Sequence, residues 1–252
     1  MNLQELLKPF DGYSRVARIY PALLALAPVV WTTLGLQPDL VSDGAGKLII
    51  TGASFIGGTT LLAALARALG KRLEDRLIAA WDGWRTTVLL RHRDHTIDPY
   101  TKRRYHEGLN AVCTGFVLPD RDDEARNPED ADARYRSATR RLIELRRDSK
   151  YQMLHKENAL YGFRRNLLGL KPVAITTILL MMGVTVLAWL HGAPSALRNT
   201  KALLDDASTR WSVYAVTAAN LVYLLFWALI VRPAFVRQAA DEYAAALFRT
   251  LE

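Results

Sequence analysis

The sequence predicts an all-α membrane protein, with four transmembrane helices and a helical cytoplasmic module inserted between the second and third. Three observations carry that prediction. First, four apolar runs without a charged residue occur at about 19–36, 48–66, 172–190 and 211–231, each close to the roughly 20 residues a helix needs to cross the hydrocarbon core. Second, the 105 residues from Arg67 to Lys171 hold 23 Lys/Arg against 16 Asp/Glu, which is +7 of the chain's formal +8. Third, the 11-residue loop after the first run holds a single base, Lys47, whereas the N-terminal flank holds three. The tendency of basic flanks to stay inside therefore places both termini and the charged insert of a multi-pass membrane protein in the cytoplasm. The expected divisions are 1–66, 67–171, 172–231 and 232–252.

The elements follow in order. Residues 1–18 have a short amphipathic pattern (Leu3, Leu6, Leu7, Phe10). Glu5 and Asp11 stand where a signal peptide carries its basic region, and no small-residue cleavage site follows, so this reads as part of the mature chain. In the first span Pro28 should kink the helix unless neighbours satisfy the carbonyl it leaves unbonded. The second span is small and hydroxylic: Thr51, Gly52, Ser54, Gly57, Gly58, Thr59. Such residues permit close helix packing in lipid; equally, Thr51, Ser54 and Thr59 offer an uncharged water-facing stripe.

The insert opens with a helix over 71–93, in which Leu73, Leu77, Trp81, Trp84 and Val88 form a stripe. That helix either continues the second span or bends at Gly70. Asp98-Pro99 marks a turn, and a short helix follows over about 101–116. The acidic stretch 118–132 reads as a solvated loop. Asn127-Pro128-Glu129-Asp130 is a helix start, joining a cap residue, a first-turn proline and acids against the positive helix end; that helix is expected to reach about Arg165. Gly169 and Pro172 close the insert. The fourth span carries Asn220 at its midpoint, where an amide is expensive unless it bonds across helices or faces water. The last 20 residues form an amphipathic helix that would lie on the membrane interface or pair with a copy of itself.

Several chemistries are disfavoured. One cysteine, Cys113, excludes an internal disulfide framework. Charge-free spans argue against an ion-coupled transporter, which needs an ionisable relay near midplane. The spacing of His92, His95, His106 and Cys113 matches no compact zinc pattern, and no phosphate-binding glycine loop occurs. No cofactor, metal or catalytic group is expected. Arg85 and His92 fit only the loose arginine-to-histidine spacing of dimeric helical RNases, which leaves a membrane-anchored nuclease as an alternative; a scaffold holding a partner enzyme at the membrane is another.

What remains is a basic and aromatic constellation: Arg91-His92-Arg93, Lys102-Arg103-Arg104-Tyr105-His106 and Tyr161-Gly162-Phe163-Arg164-Arg165. Arginine grips phosphate with two donors and rings stack on bases. Anionic lipid is the competing partner, above all for Arg164 and Arg165 beside the third span. The strings Leu90 to Asp98, Thr101 to His106 and Tyr161 to Leu167 resemble small bacterial membrane proteins of anti-phage defence operons that also encode a nucleotidyltransferase. The layout is similar to the membrane effector of Hailong-type systems. That resemblance implies an oligomeric ion channel controlled by a single-stranded oligodeoxyadenylate from the partner enzyme.

The expectation is thus a homo-oligomeric, anion-preferring channel gated by a single-stranded oligonucleotide or nucleotide-derived ligand. Arg91, Arg93, Lys102, Arg103, Arg104, Tyr105, Arg164 and Arg165 would bind the ligand, with Tyr100 a further ring for stacking. Thr51, Ser54, Thr59 and Asn220 would line the path.

Overall fold

The computed structural model describes residues 12–36, 45–191 and 207–252, with side chains for all of these except 45–51, 53, 54, 190, 191 and 207–210. The expected inter-span loops and residues 1–11 of the N-terminal pattern lie outside the described residues. Every regular element among those described is helical. In order they are α1 (Gly12–Leu36), α2 (Ala45–Ala80), α3 (Arg85–Val88), α4 (Pro99–Val112), α5 (Arg121–Arg126), α6 (Pro128–Leu145), α7 (Gln152–His191), α8 (Ala207–Leu229) and α9 (Pro233–Arg249). Among the described residues three helical stretches are long and apolar enough to cross a membrane: Gly12–Leu36, Gln152–Trp189 and Trp211–Leu229. The expected second span falls in α2.

The chain divides into two compact units. One, here the apolar unit, comprises Met1–Lys71 and Phe163–Arg232; the other, the charged unit, comprises Arg72–Gly162 and Pro233–Glu252.

In the apolar unit α1 packs on α8, and its two prolines explain two of the polar contacts. A proline brings no N–H to the carbonyl four residues back, and inside lipid that oxygen needs another donor. Pro28 leaves the Leu24 carbonyl, and the Tyr223 hydroxyl of α8 donates to it at 2.7 Å. Pro21 leaves the Ala17 carbonyl, and the Asn166 amide of α7 donates to it at 2.7 Å. A π-turn over Arg15–Ile19 precedes Pro21 and re-phases the chain there. The Tyr223 ring also meets Trp31 edge-on, 4.9 Å between centroids.

Gly70 is a point of close approach, not a bend. A Cβ on Gly70 would run into Asn166 Oδ1, and one on Gly169 would stand 2.7 Å from the Gly70 nitrogen. The two glycines let α2 and α7 touch backbone to backbone, the close packing that small residues allow. Gly169 and Pro172 therefore do not end a helix, since α7 runs through both.

The charged unit is built on α6, against which α3, α4 and α5 pack. Its core joins Leu90, Leu109, Tyr135, Ala138 and Leu142 to Leu247 and Phe248 of α9. The C-terminal helix is thus a core element of the charged unit, with Val236, Ala239, Ala244, Leu247 and Phe248 as its buried face. Two further boundaries differ from expectation. The acidic stretch 118–132 contains α5, whose start is capped by the Asp120 carboxylate accepting from the Asp123 N–H at 2.7 Å. The helix begun at Pro128 stops at Leu145 because Arg146 leaves helical geometry (φ −108°, ψ 25°). Its guanidinium reaches Thr250 Oγ1 at 3.2 Å and the Thr250 carbonyl at 3.1 Å, which ties the end of α6 to the chain terminus.

Candidate anion-binding site

The turn that holds the segment from Arg91 to Arg104 lies where α2 ends, just after Ala80. Gly83 (φ +127°) and Asp82 (φ +60°) close that helix in left-handed conformation, with the Gly83 N–H on the Ile78 carbonyl at 2.9 Å. This C-cap glycine frees the chain to reverse, and it turns both the carboxylate and the carbonyl of Asp82 towards Arg91.

Arg91 is 4 % exposed. Its Nε and Nη2 donate to the two carboxylate oxygens of Asp132 at 2.8 and 2.5 Å, the two-pronged geometry that a guanidinium suits. Nη1 bonds Asp82 Oδ2 at 2.5 Å, and Nη2 also bonds the Asp82 carbonyl at 2.7 Å. Burial opposes its charge, but the bonds and charges of Asp132 and Asp82 win and raise its pKa. Lys102, in the first turn of α4, is also buried. Its ammonium donates to the Arg91 carbonyl at 2.5 Å and to the Asp94 carbonyl. Burial lowers its pKa, against which Asp94 and Glu124 act.

Glu124 of α5 closes the arrangement from the other side. Its carboxylate accepts from the His92 N–H at 2.7 Å, the Arg93 N–H at 3.3 Å and the Tyr135 hydroxyl at 2.9 Å. Burial and this contact push the Tyr135 hydroxyl well above its ordinary pKa. His106 bonds the Leu90 carbonyl through Nε2 at 2.8 Å, and burial brings its pKa down to about 4. Its ring lies edge-on to His92 at 4.8 Å. Three side chains from two helices, Lys102 and His106 of α4 and Glu124 of α5, therefore hold the backbone of residues 90–94 in one conformation.

The eight ligand residues predicted from the sequence separate accordingly. Arg91 and Lys102 are not available to a ligand, because their donors are engaged by carboxylates and carbonyls inside the charged unit. Tyr105 is 7 % exposed and packs on Phe248 at 5.4 Å, so it belongs to the core and cannot stack on a base. Arg93, Arg103 and Arg104 face solvent. Arg104 makes exposed contacts to Glu252 Oε1 at 3.3 Å and Thr101 Oγ1 at 3.1 Å. The Tyr100 ring is 76 % exposed. Arg164 and Arg165 are half-buried in the apolar unit, with Arg165 Nε on Asn166 Oδ1 at 3.3 Å. The structure does not gather the eight in one unit.

Of the residues expected along a path, Thr51 and Ser54 fall on side chains outside the described residues. Thr59 is half-buried, and among the described residues its hydroxyl oxygen has no hydrogen-bond partner. Asn220 is fully buried, taking a bond from Trp31 Nε1 at 3.0 Å and giving one to Thr32 Oγ1 at 3.1 Å; within one chain its amide fastens α8 to α1. For the nuclease alternative, the Arg85 guanidinium is buried on Asp241 of α9, and His92 Nε2 lies 3.1 Å from the Pro119 carbonyl.

Sequence reasoning missed Asp82, Asp132, Glu124 and Asn166. The turn Asp82-Gly83 was a usable signal for the first. Glu124 and Asp132 stand in the acidic stretch 118–132 and Asn166 in a helix, and nothing local marks the three as buried partners. No protein-family model, curated protein or solved structure matches this chain.

Proposed function

We propose that the chain is the protomer of a homo-oligomeric ion channel in the bacterial inner membrane, opened or closed by an oligonucleotide-type anion on its charged unit. The observation that carries this reading is the outward set Arg93, Arg103, Arg104 and Tyr100. Lys102 bonds both the Arg91 and Asp94 carbonyls, so it ties the segment bearing Arg93 to the helix bearing Arg103 and Arg104. Arg93 and Arg103 have no ion pair or side-chain hydrogen bond among the described residues. Because the supporting backbone is already fixed, phosphate binding would need little further ordering, which favours affinity. Guanidinium groups would hold phosphates, and Tyr100 would stack on a base.

The membrane part of the reading keeps four spans, with the first part of α2 as the second and both termini cytoplasmic. A single bundle of that size is too narrow to enclose a water path, so conduction would take several copies around an axis. Cations at a cytoplasmic vestibule would favour anions. The resemblance of the three strings adds a role in anti-phage defence, with an operon-encoded nucleotidyltransferase as the ligand's source. The nuclease alternative is weaker because Arg85 is held by Asp241.

The test is current across a planar bilayer holding the full chain, before and after short single-stranded DNA is added on the cytoplasmic side. Current steps should change with DNA. Arg93, Arg103 and Arg104 changed together to Glu should weaken DNA binding more than about 100-fold, since charge-assisted bonds contribute about 1.5 kcal/mol or more each. Unchanged affinity in that variant overturns the ligand assignment. A silent bilayer with inserted protein leaves the scaffold reading.

A further inference from the structure

The apolar unit contains a groove of about 820 Å³ between α1 and α2. Its wall on α2 follows one helical face from Phe55 and Ile56, through Thr59, to Arg67 and Lys71; α1 supplies Leu23 near one end and Arg18 near the other. The lining is therefore graded, apolar at one end and tricationic at the other. Arg67 and Lys71 are exposed, and among the described residues neither makes an ion pair or a side-chain hydrogen bond. Arg18 is half-buried, its guanidinium 5.9 Å from the centre of the Tyr13 ring. Thr59 adds a hydroxyl oxygen that is buried without a partner among the described residues.

The dimensions identify the class of occupant. At 1.5 Å per residue, the 16 steps from Phe55 to Lys71 cover about 24 Å. One leaflet with its head-group region is about 20–22 Å deep. A free phosphate would use only the cationic end and leave the apolar length wet. A zwitterionic lipid would fill the length but leave three cations with no net counter-charge. Only an amphiphile with an anionic head and an acyl chain matches both ends.

We infer that this groove binds an anionic phospholipid, its head group on Arg18, Arg67 and Lys71 and an acyl chain along Leu23, Phe55 and Ile56. The site rests on the membrane reading above, and it would make the channel sensitive to the charge of the inner leaflet independently of any ligand on the charged unit.

The test is native mass spectrometry of the full chain in detergent, titrated with phosphatidylglycerol or phosphatidylcholine of identical acyl chains. Phosphatidylglycerol should bind at least about tenfold better, at roughly fivefold per cation near a membrane surface. The variant R67Q/K71Q should lose about 25-fold in phosphatidylglycerol affinity by the same measure. R67K/K71R should retain it, which separates lost charge from misfolding. Ile56→Trp, which fills the apolar end eleven residues before Arg67, should lower binding of both lipids.

Equal binding of the two lipids, or undiminished binding in R67Q/K71Q, overturns the site. So does competition by free glycerol 3-phosphate at comparable affinity, because the ligand is then a soluble phosphate. Disulfide-linked dimers of Ile56→Cys that exclude lipid would assign the groove to a second copy. Carbonate extraction of membranes distinguishes the two levels: protein that stays in the membrane yet shows no lipid preference sinks this site alone, and protein released by carbonate sinks the membrane reading itself.

Discussion

The two units bury polar groups of different kinds. In the apolar unit they are neutral: Asn166, Asn220, Thr32 and Thr185, each below 4 % exposed. Asn166 bonds a carbonyl across helices, Asn220 and Thr32 bond each other, and Thr185 bonds the Met181 carbonyl of its own helix; with the Tyr223 hydroxyl on the Leu24 carbonyl, the Asn166 bond to Ala17 replaces what prolines remove. The charged unit also buries neutral groups such as Thr87 and Thr139, but it adds ionic ones: Arg85, Arg91, Lys102, Glu124 and Glu74, none above 9 % exposed. A charge in the middle of a lipid segment has no nearby water to relax towards, so neutral donors repair backbone there. A charge in a water-facing domain can be buried when a full set of counter-charges and carbonyls is built around it. The difference teaches that arginine content is a poor guide to an anion site: Arg91 and Arg93 are two residues apart, yet one is structural and the other faces solvent.

The largest effect should come from breaking the ionic side. Asp132→Ala leaves Arg91 buried with half its acceptors gone, and removing one partner of a buried pair costs about 3–5 kcal/mol. Thermal unfolding of the full chain should fall steeply, whereas Arg93→Ala should leave it unchanged.

Acid should probe the same region nearly as strongly. His106 has a pKa of about 4 when folded, against about 6.5 unfolded. The folded value is the lower, so its contribution is complete above about pH 6.5 and is lost as pH falls towards 4. At 1.36 kcal/mol per unit, the loss is about 3 kcal/mol. Denaturant titrations at pH 7 and pH 4 should show it, and His106→Phe should flatten that difference.

The neutral side should respond less. Tyr223→Phe removes only the donor to the Leu24 carbonyl, and polar contacts between membrane helices are worth about 0.6 kcal/mol on average and under about 2. A loss of about 1 kcal/mol in detergent unfolding is expected; one matching Asp132→Ala would erase the contrast between the units. Smallest of all, Arg104→Ala breaks an exposed pair with Glu252 and should change stability by less than about 1 kcal/mol, while still lowering DNA affinity.

The sequence by itself determined the helical class, the charge-free runs, the capped start at Asn127-Pro128 and the separation of a basic middle from apolar flanks. Those properties are local, because periodicity, caps and hydropathy act over a few residues to one span. It also marked Pro28 as a problem that neighbours must solve. Only the tertiary structure decided that Tyr223, some 200 positions away, solves it. It alone made Gly70 and Gly169 a backbone contact, drew α9 into the core beside Leu90 and Tyr135, and sorted the cations of 91–104 into held and outward-facing. The reason is that a side chain's chemistry is the same wherever it stands. Whether Lys102 meets a phosphate or two carbonyls depends on which distant segments the packing of apolar faces brings to it, and that information is spread over the whole chain.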